Sequence, residues 1–202
     1  MSVTRLLKFL RRVVGSALLL VAIYHLVQFN SMDVSAAIKA NNWSYARFPV
    51  HAKDFVFYVS PFGWRPSTGS QHNGIDIGVD LDKEVLAWWS GTVKVADFTP
   101  GCGGEVFIVS GNWDSRFCHL NKILVKPGQT VKAGDVVALS GSTGNSQGPH
   151  LHWEIRYKEN LIDPGVVIKH MMAADKGETL QATESQDLIQ LKRDDSCHDC
   201  MI

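Results

Sequence analysis

The chain has 202 residues, 45% of them hydrophobic, and 20 Lys and Arg residues balance 20 Asp and Glu residues to a formal charge of zero. This length is enough to bury one substantial hydrophobic core, so we expect one main domain with a segment at each end. A net charge of zero gives no electrostatic support for binding nucleic acid or an acidic polymer, and we expect no nucleic-acid partner.

The first thirty residues have the pattern of an export signal or a membrane anchor. Arg5, Lys8, Arg11 and Arg12 precede an uncharged, mostly aliphatic run over residues 13–29. The run lies at the lower edge of the roughly 17 to 25 residues that span a bilayer, above the usual signal-peptide core of about 7 to 15. We therefore predict an uncleaved N-terminal hydrophobic helix that contacts the membrane, with cleavage near the small residues 34–36 as the alternative. In either case the basic flank stays in the cytoplasm and the remainder is exported.

Residues 31–55 show no clear periodicity and are interpreted as a connector. The next segment, residues 56–170, contains short apolar runs separated by Gly and Pro, at 56–59, 75–79, 85–88, 92–96, 106–109, 136–139 and 150–157. No apolar pattern of helical period reaches about twelve residues within it. Strands at this spacing predict an all-β domain.

The four cysteines agree with export, since an even count is typical of an oxidising compartment. Cys102 and Cys118 flank two strand-like runs, 106–109 and 116–120, which the Gly-Asn-Trp-Asp sequence at 111–114 joins. A hairpin there would bring the two cysteines close together across the ladder. We predict a Cys102–Cys118 disulfide rather than two buried free thiols or zinc ligands.

Residues 171–202 are polar and predict a tail, either disordered or with a short helix over residues 186–192. Cys197 and Cys200 lie near its end without the βαβ context of a redox motif. A local disulfide or a loose tail is the expected state of these two residues.

Two short patterns and a lone histidine supply candidate metal ligands: His72 with Asp76, then His119, then His150 with His152. A catalytic zinc usually takes three ligands from His, Asp and Glu and leaves one position for water. In a straight strand the Cα atoms of His72 and Asp76 would lie about 13 Å apart, too far for one ion. Asn73 and Gly74 tolerate positive φ, so a bend there would let the two side chains converge.

Strand alternation places His150, His152 and Glu154 on one face. One of the two imidazoles can bind zinc while the other orients or deprotonates water, and the spacing does not decide which. Glu154 is a candidate to accept a hydrogen bond from a ring N–H, with a solvated carboxylate at the rim as the alternative. His119, on the predicted return strand of the hairpin, is the natural partner of His150 across the zinc.

Several motifs in one order resemble the lysostaphin-type (LytM-like) zinc metalloendopeptidases over about residues 56–166: Phe62-Gly63-Trp64-Arg65, His72-Asn73-Gly74-Ile75-Asp76, Phe117-Cys118-His119-Leu120, residues 125–134 and residues 141–152. The resemblance implies a fold of mostly antiparallel sheets with one Zn²⁺ in a groove. It also implies that His72, Asp76 and His152 bind zinc, while His119 and His150 are catalytic and flank the attacking water and the developing oxyanion.

Three further positions bear on this site. Arg65 and Glu154 are candidates for supporting the ligands without binding the ion. Where the family usually has a tyrosine two residues before the lone histidine, this chain has Phe117, which carries no hydroxyl.

The sequence thus predicts an exported, membrane-anchored zinc metalloendopeptidase of the bacterial cell envelope, with its peptidase domain on the periplasmic or extracellular side of the inner membrane. By the resemblance, its substrate is the peptide cross-bridge of peptidoglycan. The residues themselves are compatible with a D,D cross-link, a glycine bridge or a peptide outside the cell wall. The alternative is a non-catalytic regulator of the same fold that activates a cell-wall amidase; such domains lack zinc-site residues, whereas all five are present here. A biotinyl or lipoyl carrier domain is disfavoured because residues 125–139 are not followed by a tip lysine. A purely structural zinc site is disfavoured because such sites are usually closed by Cys and His.

Overall fold

The structure, a computed structural model, describes residues 34–175 of the chain. The chain divides into two compact units, Met1–Asn41 and Asn42–Ile202. In the first unit residues 34–40 are helical. The expected hydrophobic helix over residues 13–29 and the tail from residue 176 onward lie outside the described residues. Within residues 34–175 we find no helix with the length and hydropathy needed to cross a membrane.

The second unit is built from short strands, as the sequence predicts. They are β1 Phe57–Ser60, β2 Gly63–Arg65, β3 Ser70–His72, β4 Ile75–Gly78, β5 Glu84–Leu86, β6 Gly91–Thr99, β7 Gly103–Ser110, β8 Trp113–Leu120, β9 Lys122–Ile123, β10 Thr130–Val131, β11 Val136–Leu139, β12 His150–Tyr157 and β13 Asn160–Ile162. A 3₁₀ helix, Trp43–Tyr45, precedes them, and helix α1, Pro164–Asp175, follows. The strands form an eight-stranded sheet in the order β1-β4-β12-β8-β7-β6-β10, with β13 pairing β12, a three-stranded sheet β5-β11-β9 and a hairpin β2-β3. The pairings between described strands are antiparallel, which confirms the predicted fold class.

The two central strands β4 and β12 separate the core from the polar face of the large sheet. Leu151 is paired with Ile77, and both side chains are fully buried on the core face. The next pair is His152 with Asp76, which by alternation projects to the opposite face. The period-2 pattern of β12 therefore decides which side chains reach that polar face.

The segment interpreted as a connector is in part a packed element of the second unit. Asn42 caps the 3₁₀ helix, since its side-chain oxygen accepts a hydrogen bond from the Ser44 amide at 3.2 Å. Trp43 is buried, with its ring 5.5 Å from that of Trp113. Val50 is also buried and bridges to Val85. The apolar residues of this segment are isolated in the sequence, so no periodic pattern predicts their burial.

Helix α1 was not expected and extends past residue 170, where we placed the start of the polar tail. Asp163 Oδ1 accepts a hydrogen bond from the Gly165 amide at 2.8 Å, and Pro164 occupies the first helical position. The helix buries Val167, Met171 and Ala173. In the sequence the Pro-Gly pair is typical of a turn, whereas with an aspartate cap before it the same pair begins a helix.

Candidate functional site

Three of the sequence candidates converge on the polar face of the large sheet. His72 ends β3, Asp76 lies on β4 and His152 on β12. Asp76 Oδ1 is 3.1 Å from His72 Nε2 and 2.8 Å from His152 Nδ1, and these two nitrogens are 3.0 Å apart. Among the described residues these three form a group that can hold a metal ion. We call them the metal cluster.

The short link between β3 and β4 brings His72 and Asp76 together, but not by the backbone conformation that we expected. Neither Asn73 nor Gly74 has a positive φ. A Cβ added to Gly74 would lie 2.2 Å from the carbonyl oxygen of Trp153. The glycine is therefore required because the chain passes against β12 too closely for any side chain.

The two remaining histidines lie beside the metal cluster. The ring centroid of His119 is 4.6 Å from that of His150 and 5.9 Å from that of His152. His150 Nε2 is 3.8 Å from Asp76 Oδ1, so this edge of the ring faces the cluster. The five candidates thus occupy one site.

Backbone carbonyls of the loop before β12 fix the tautomers of these two histidines. His119 Nδ1 donates to the Thr143 carbonyl at 2.8 Å, and His150 Nδ1 donates to the Gly148 carbonyl at 2.8 Å. A carbonyl can only accept, so each Nδ1 carries a proton. In the neutral ring the lone pair is then on Nε2. These two carbonyls leave no signal in the sequence, because every residue has one and no side-chain pattern marks them.

A β-bulge turns His119 into the site. Cys118 is paired with His152 and so lies on the site face, where regular alternation would send His119 to the opposite side. Between the pairs Gly104–Leu120 and Val106–Phe117, however, the register of β7 and β8 shifts, and His119 has φ +64°. Such a bulge re-aims one side chain. It is the structural reason why His119 reaches the site.

The predicted disulfide is present directly beside this bulge. Cys102 and Cys118 are bonded, with their Cα atoms 4.9 Å apart. The His119 amide donates to the Cys102 carbonyl at 2.7 Å, and the Asn145 amide donates to the Gly101 carbonyl at 2.8 Å. The bonded turn therefore contacts both the bulge and the loop that holds the histidine tautomers.

Arg65 and Glu154 each contact one member of the metal cluster from outside. Arg65 donates from a guanidinium nitrogen to Asp76 Oδ2 at 2.5 Å and from Nε to Ser60 Oγ at 2.9 Å. Glu154 is only 4% exposed, and its Oε1 lies 3.3 Å from His152 Nε2. Its other oxygen accepts from Arg156 at 3.0 Å. Glu154 is thus buried and paired, and the alternative of a solvated carboxylate at the rim is wrong.

These contacts determine the charge state of the site. Burial alone would raise the pKa of Asp76, but the hydrogen bonds and charges of His152 and His72 lower it well below its ordinary value. Burial would likewise raise the pKa of Glu154, yet the hydrogen bonds with His152 and Arg156 lower it. Burial lowers the pKa of His119. The site therefore contains two ionised carboxylates close to a histidine that favours its neutral form.

The donor set fits a zinc ion. Two imidazole nitrogens and one carboxylate oxygen are ligands that zinc takes in catalytic sites. Bonds of about 2.1 Å in a tetrahedron require ligand atoms about 3.4 Å apart. The separations of 2.8–3.1 Å between His72 Nε2, Asp76 Oδ1 and His152 Nδ1 need to widen only slightly. His72 Nδ1, which donates to the Pro61 carbonyl at 2.6 Å, leaves Nε2 available as the ligand atom.

Comparison with known proteins gives one consistent family. Residues 70–164 match the family model described as Peptidase family M23. The chain is 41% identical over 127 residues to an uncharacterized metalloprotease of Haemophilus influenzae, covering 59% of this chain and 26% of that protein. It is 34% identical over 125 residues to the peptidoglycan DD-endopeptidase ShyB of Vibrio cholerae, covering 59% of this chain and 29% of that protein.

A solved structure extends the match to nearly a whole catalytic domain. It is a mutant catalytic domain of the prophage-encoded M23 protein EnpA from Enterococcus faecalis, with a TM-score of 0.53 and 32% identity. The match covers 60% of this chain and 95% of that one. Against the two curated relatives, by contrast, the chain spans less than a third of their length.

Proposed function

Because the chain belongs to peptidase family M23, we propose that it is an exported zinc metalloendopeptidase that hydrolyses peptide cross-bridges of peptidoglycan. The main support for the proposal is that the metal cluster lies beside two further histidines, His119 and His150, whose Nδ1 protons point away from the cluster. The substrate class is supported by similarity to a protein named as a peptidoglycan DD-endopeptidase.

In this proposal His72 Nε2, Asp76 Oδ1 and His152 Nδ1 hold the zinc ion. When bound, zinc supplies a Lewis acid that polarises a carbonyl and makes a water molecule more acidic. Arg65 supports the site by occupying Asp76 Oδ2, which leaves Oδ1 to face the metal. Glu154 supports it by accepting from His152 Nε2–H, which directs Nδ1 towards the metal.

The two remaining histidines act on protons. A neutral ring whose Nδ1–H is held by a carbonyl can take a proton at Nε2 from the attacking water. The same ring, once protonated at Nε2, can donate a hydrogen bond to the oxyanion that forms at the scissile carbonyl. His119 and His150 can divide these two roles because their rings lie side by side at the cluster. Presence of all five residues disfavours a non-catalytic regulator.

We further propose that the basic flank and residues 13–29 anchor the chain in the membrane. The peptidase domain would then lie on the periplasmic or extracellular side, where its substrate is. Support for this side of the membrane comes from the Cys102–Cys118 disulfide, since disulfides persist in oxidising compartments.

The proposed function is tested by measuring bound zinc and the digestion of purified peptidoglycan on the same preparations. The wild-type chain should bind one zinc ion and release peptide-linked fragments that mass spectrometry identifies. His72→Ala should lose zinc and activity together, because a ligand is missing. His119→Ala should keep the zinc and lose turnover. Full zinc occupancy in His72→Ala would contradict the ligand assignment, and intact peptidoglycan after treatment with zinc-loaded wild type would contradict the activity.

A further inference from the structure

An exposed aromatic ring, Phe57, lies on the same sheet face as the metal cluster. On the neighbouring strands Phe57 is paired with Gly78, and Gly78 is paired with His150. Directly paired residues of antiparallel strands project to the same face. Gly78 is two residues from Asp76 along β4, and His150 is two residues from His152 along β12, so the row shares the face of the cluster.

The ring of Phe57 fills the space that a side chain at position 78 would take. A Cβ added to Gly78 would lie 3.3 Å from ring carbons Cδ1 and Cε1 of Phe57. The ring therefore covers Gly78 on the site face, while 54% of Phe57 is exposed to solvent. Adjacent strands are about 5 Å apart, so the ring lies about one strand spacing from His150.

The next residue of β1, Tyr58, is 40% exposed but projects to the opposite face. Tyr58 is paired with Ile77, whose side chain is fully buried on the core face. The ring of Tyr58 lies 5.1 Å from that of Phe55 and so has an aromatic partner in the fold. Phe57 instead presents its ring to the space beside His150.

We propose that Phe57 forms an apolar subsite for the substrate residue that flanks the cleaved bond, and that it favours alanine or a larger apolar residue over glycine. The inference rests on the proposed peptidase function, since a peptide must lie across the cluster to reach this ring. A distance of about 5 Å corresponds to one or two residues of an extended peptide. An apolar wall stabilises binding only through the apolar surface that it covers, and glycine offers no side chain for it to cover.

Two synthetic peptides that differ only in having alanine or glycine beside the cleaved bond provide the test. For the alanine peptide, Phe57→Ala in the full chain should lower kcat/KM by about tenfold, mainly through KM, because the lost contact is an apolar binding contact. For the glycine peptide the change should stay within about twofold. Phe57→Leu should restore most of the preference for alanine, and bound zinc should not change in either variant.

Tyr45→Ala is the matched control, because it removes an exposed aromatic ring far from the site. Tyr45 is 67% exposed and ends the 3₁₀ helix, whose Trp43 packs on Trp113. Trp113 pairs with Tyr157, at the opposite end of β12 from His150. The control should cleave both peptides at the wild-type rate.

The two possible failures give different results. Equal rates for Phe57→Ala and wild type on the alanine peptide, or an equal loss on both peptides, would overturn the subsite. Failure of the zinc-loaded wild type to cleave either peptide would overturn the proposed function and the subsite with it.

Discussion

Replacing Cys102 and Cys118 by alanine should lower the free energy of unfolding by about 3 kcal/mol. The disulfide closes a loop with a sequence separation of 16 residues. In the chain-entropy description, closing a loop of this length removes about 10 cal/mol/K from the unfolded ensemble, which gives about 3 kcal/mol at 25 °C. For a domain of this size the same change corresponds to a decrease in Tm of about 10 °C.

The variant should also lose activity while keeping its metal. The Cys102 carbonyl accepts from the His119 amide, so a looser turn allows the His119 ring to shift from its position. We expect kcat to fall by about tenfold, less than the roughly 100-fold that a misplacement of about 1 Å can cost. Zinc content should not change, because neither sulfur belongs to the metal cluster.

Urea unfolding followed by circular dichroism, zinc analysis and peptide hydrolysis measure the three quantities. Wild-type protein treated with a reductant should behave as the alanine variant does, and the variant itself should not respond to the reductant. If the free energy of unfolding falls by less than about 1 kcal/mol, the loop-closure argument is refuted. Loss of zinc from the variant would show instead that the cysteines support the metal cluster directly.

Three further predictions follow from the same contacts. Glu154→Gln should weaken zinc binding by about 10-fold or more in calorimetric titration, because it removes the charged group that accepts from the proposed ligand His152. Glu84→Gln, a change at an exposed residue, should have no effect on zinc affinity. Equal zinc affinities of Glu154→Gln and wild type would rule out the supporting role of Glu154. Gly74→Ala should destabilise the fold and weaken zinc binding, because the new Cβ would lie 2.2 Å from a carbonyl oxygen of β12. In the control Gly148→Ala the new Cβ meets no atom within 4 Å, so wild-type stability should be kept. Wild-type stability in Gly74→Ala would contradict the close approach. Asp163→Ala should lower the free energy of unfolding by about 1 kcal/mol through loss of the helix cap, and Asp163→Asn should lower it less. Burial raises the pKa of Asp163, so its protonated carboxyl adds stability that is fully present below the unfolded pKa of about 3.9 and is lost as the pH rises through the folded pKa, whereas the capping hydrogen bond is retained by the ionised carboxylate. Asp163→Asn should lack this pH-dependent part, and identical pH profiles would contradict it.

Features that depend on local sequence could be read from the chain. Alternation along β12 follows from the geometry of any strand, so the shared face of His150, His152 and Glu154 needed no tertiary information. The hairpin β7-β8 likewise follows from two strand-like runs and a turn sequence, and with it the Cys102–Cys118 pairing. The helix that begins at Pro164 was not predicted, because its apolar pattern is weak. Its formation depends on the Asp163 cap and on the burial of its apolar side chains in the fold.

The positions of the site residues relative to one another depend on contacts between distant segments. His119 faces the site only because β7 and β8 shift register at a bulge, and regular alternation predicts the opposite face. Gly74 is needed for its close approach to β12 rather than for a positive φ. The proton positions on His119 and His150 depend on the carbonyls of Thr143 and Gly148, which the fold brings to the rings.

The amino-acid sequence by itself determined the chemical types at the site, the strands that carry most of them and the oxidised cysteine pair, because residue type and strand period are local properties. Tertiary structure alone decided which ring nitrogens face the metal cluster, that Glu154 is buried and paired, and that Phe57 lies in the row beside His150. These features require strands far apart in the chain to pair in one register, and a shift of one residue would move each side chain to the other face.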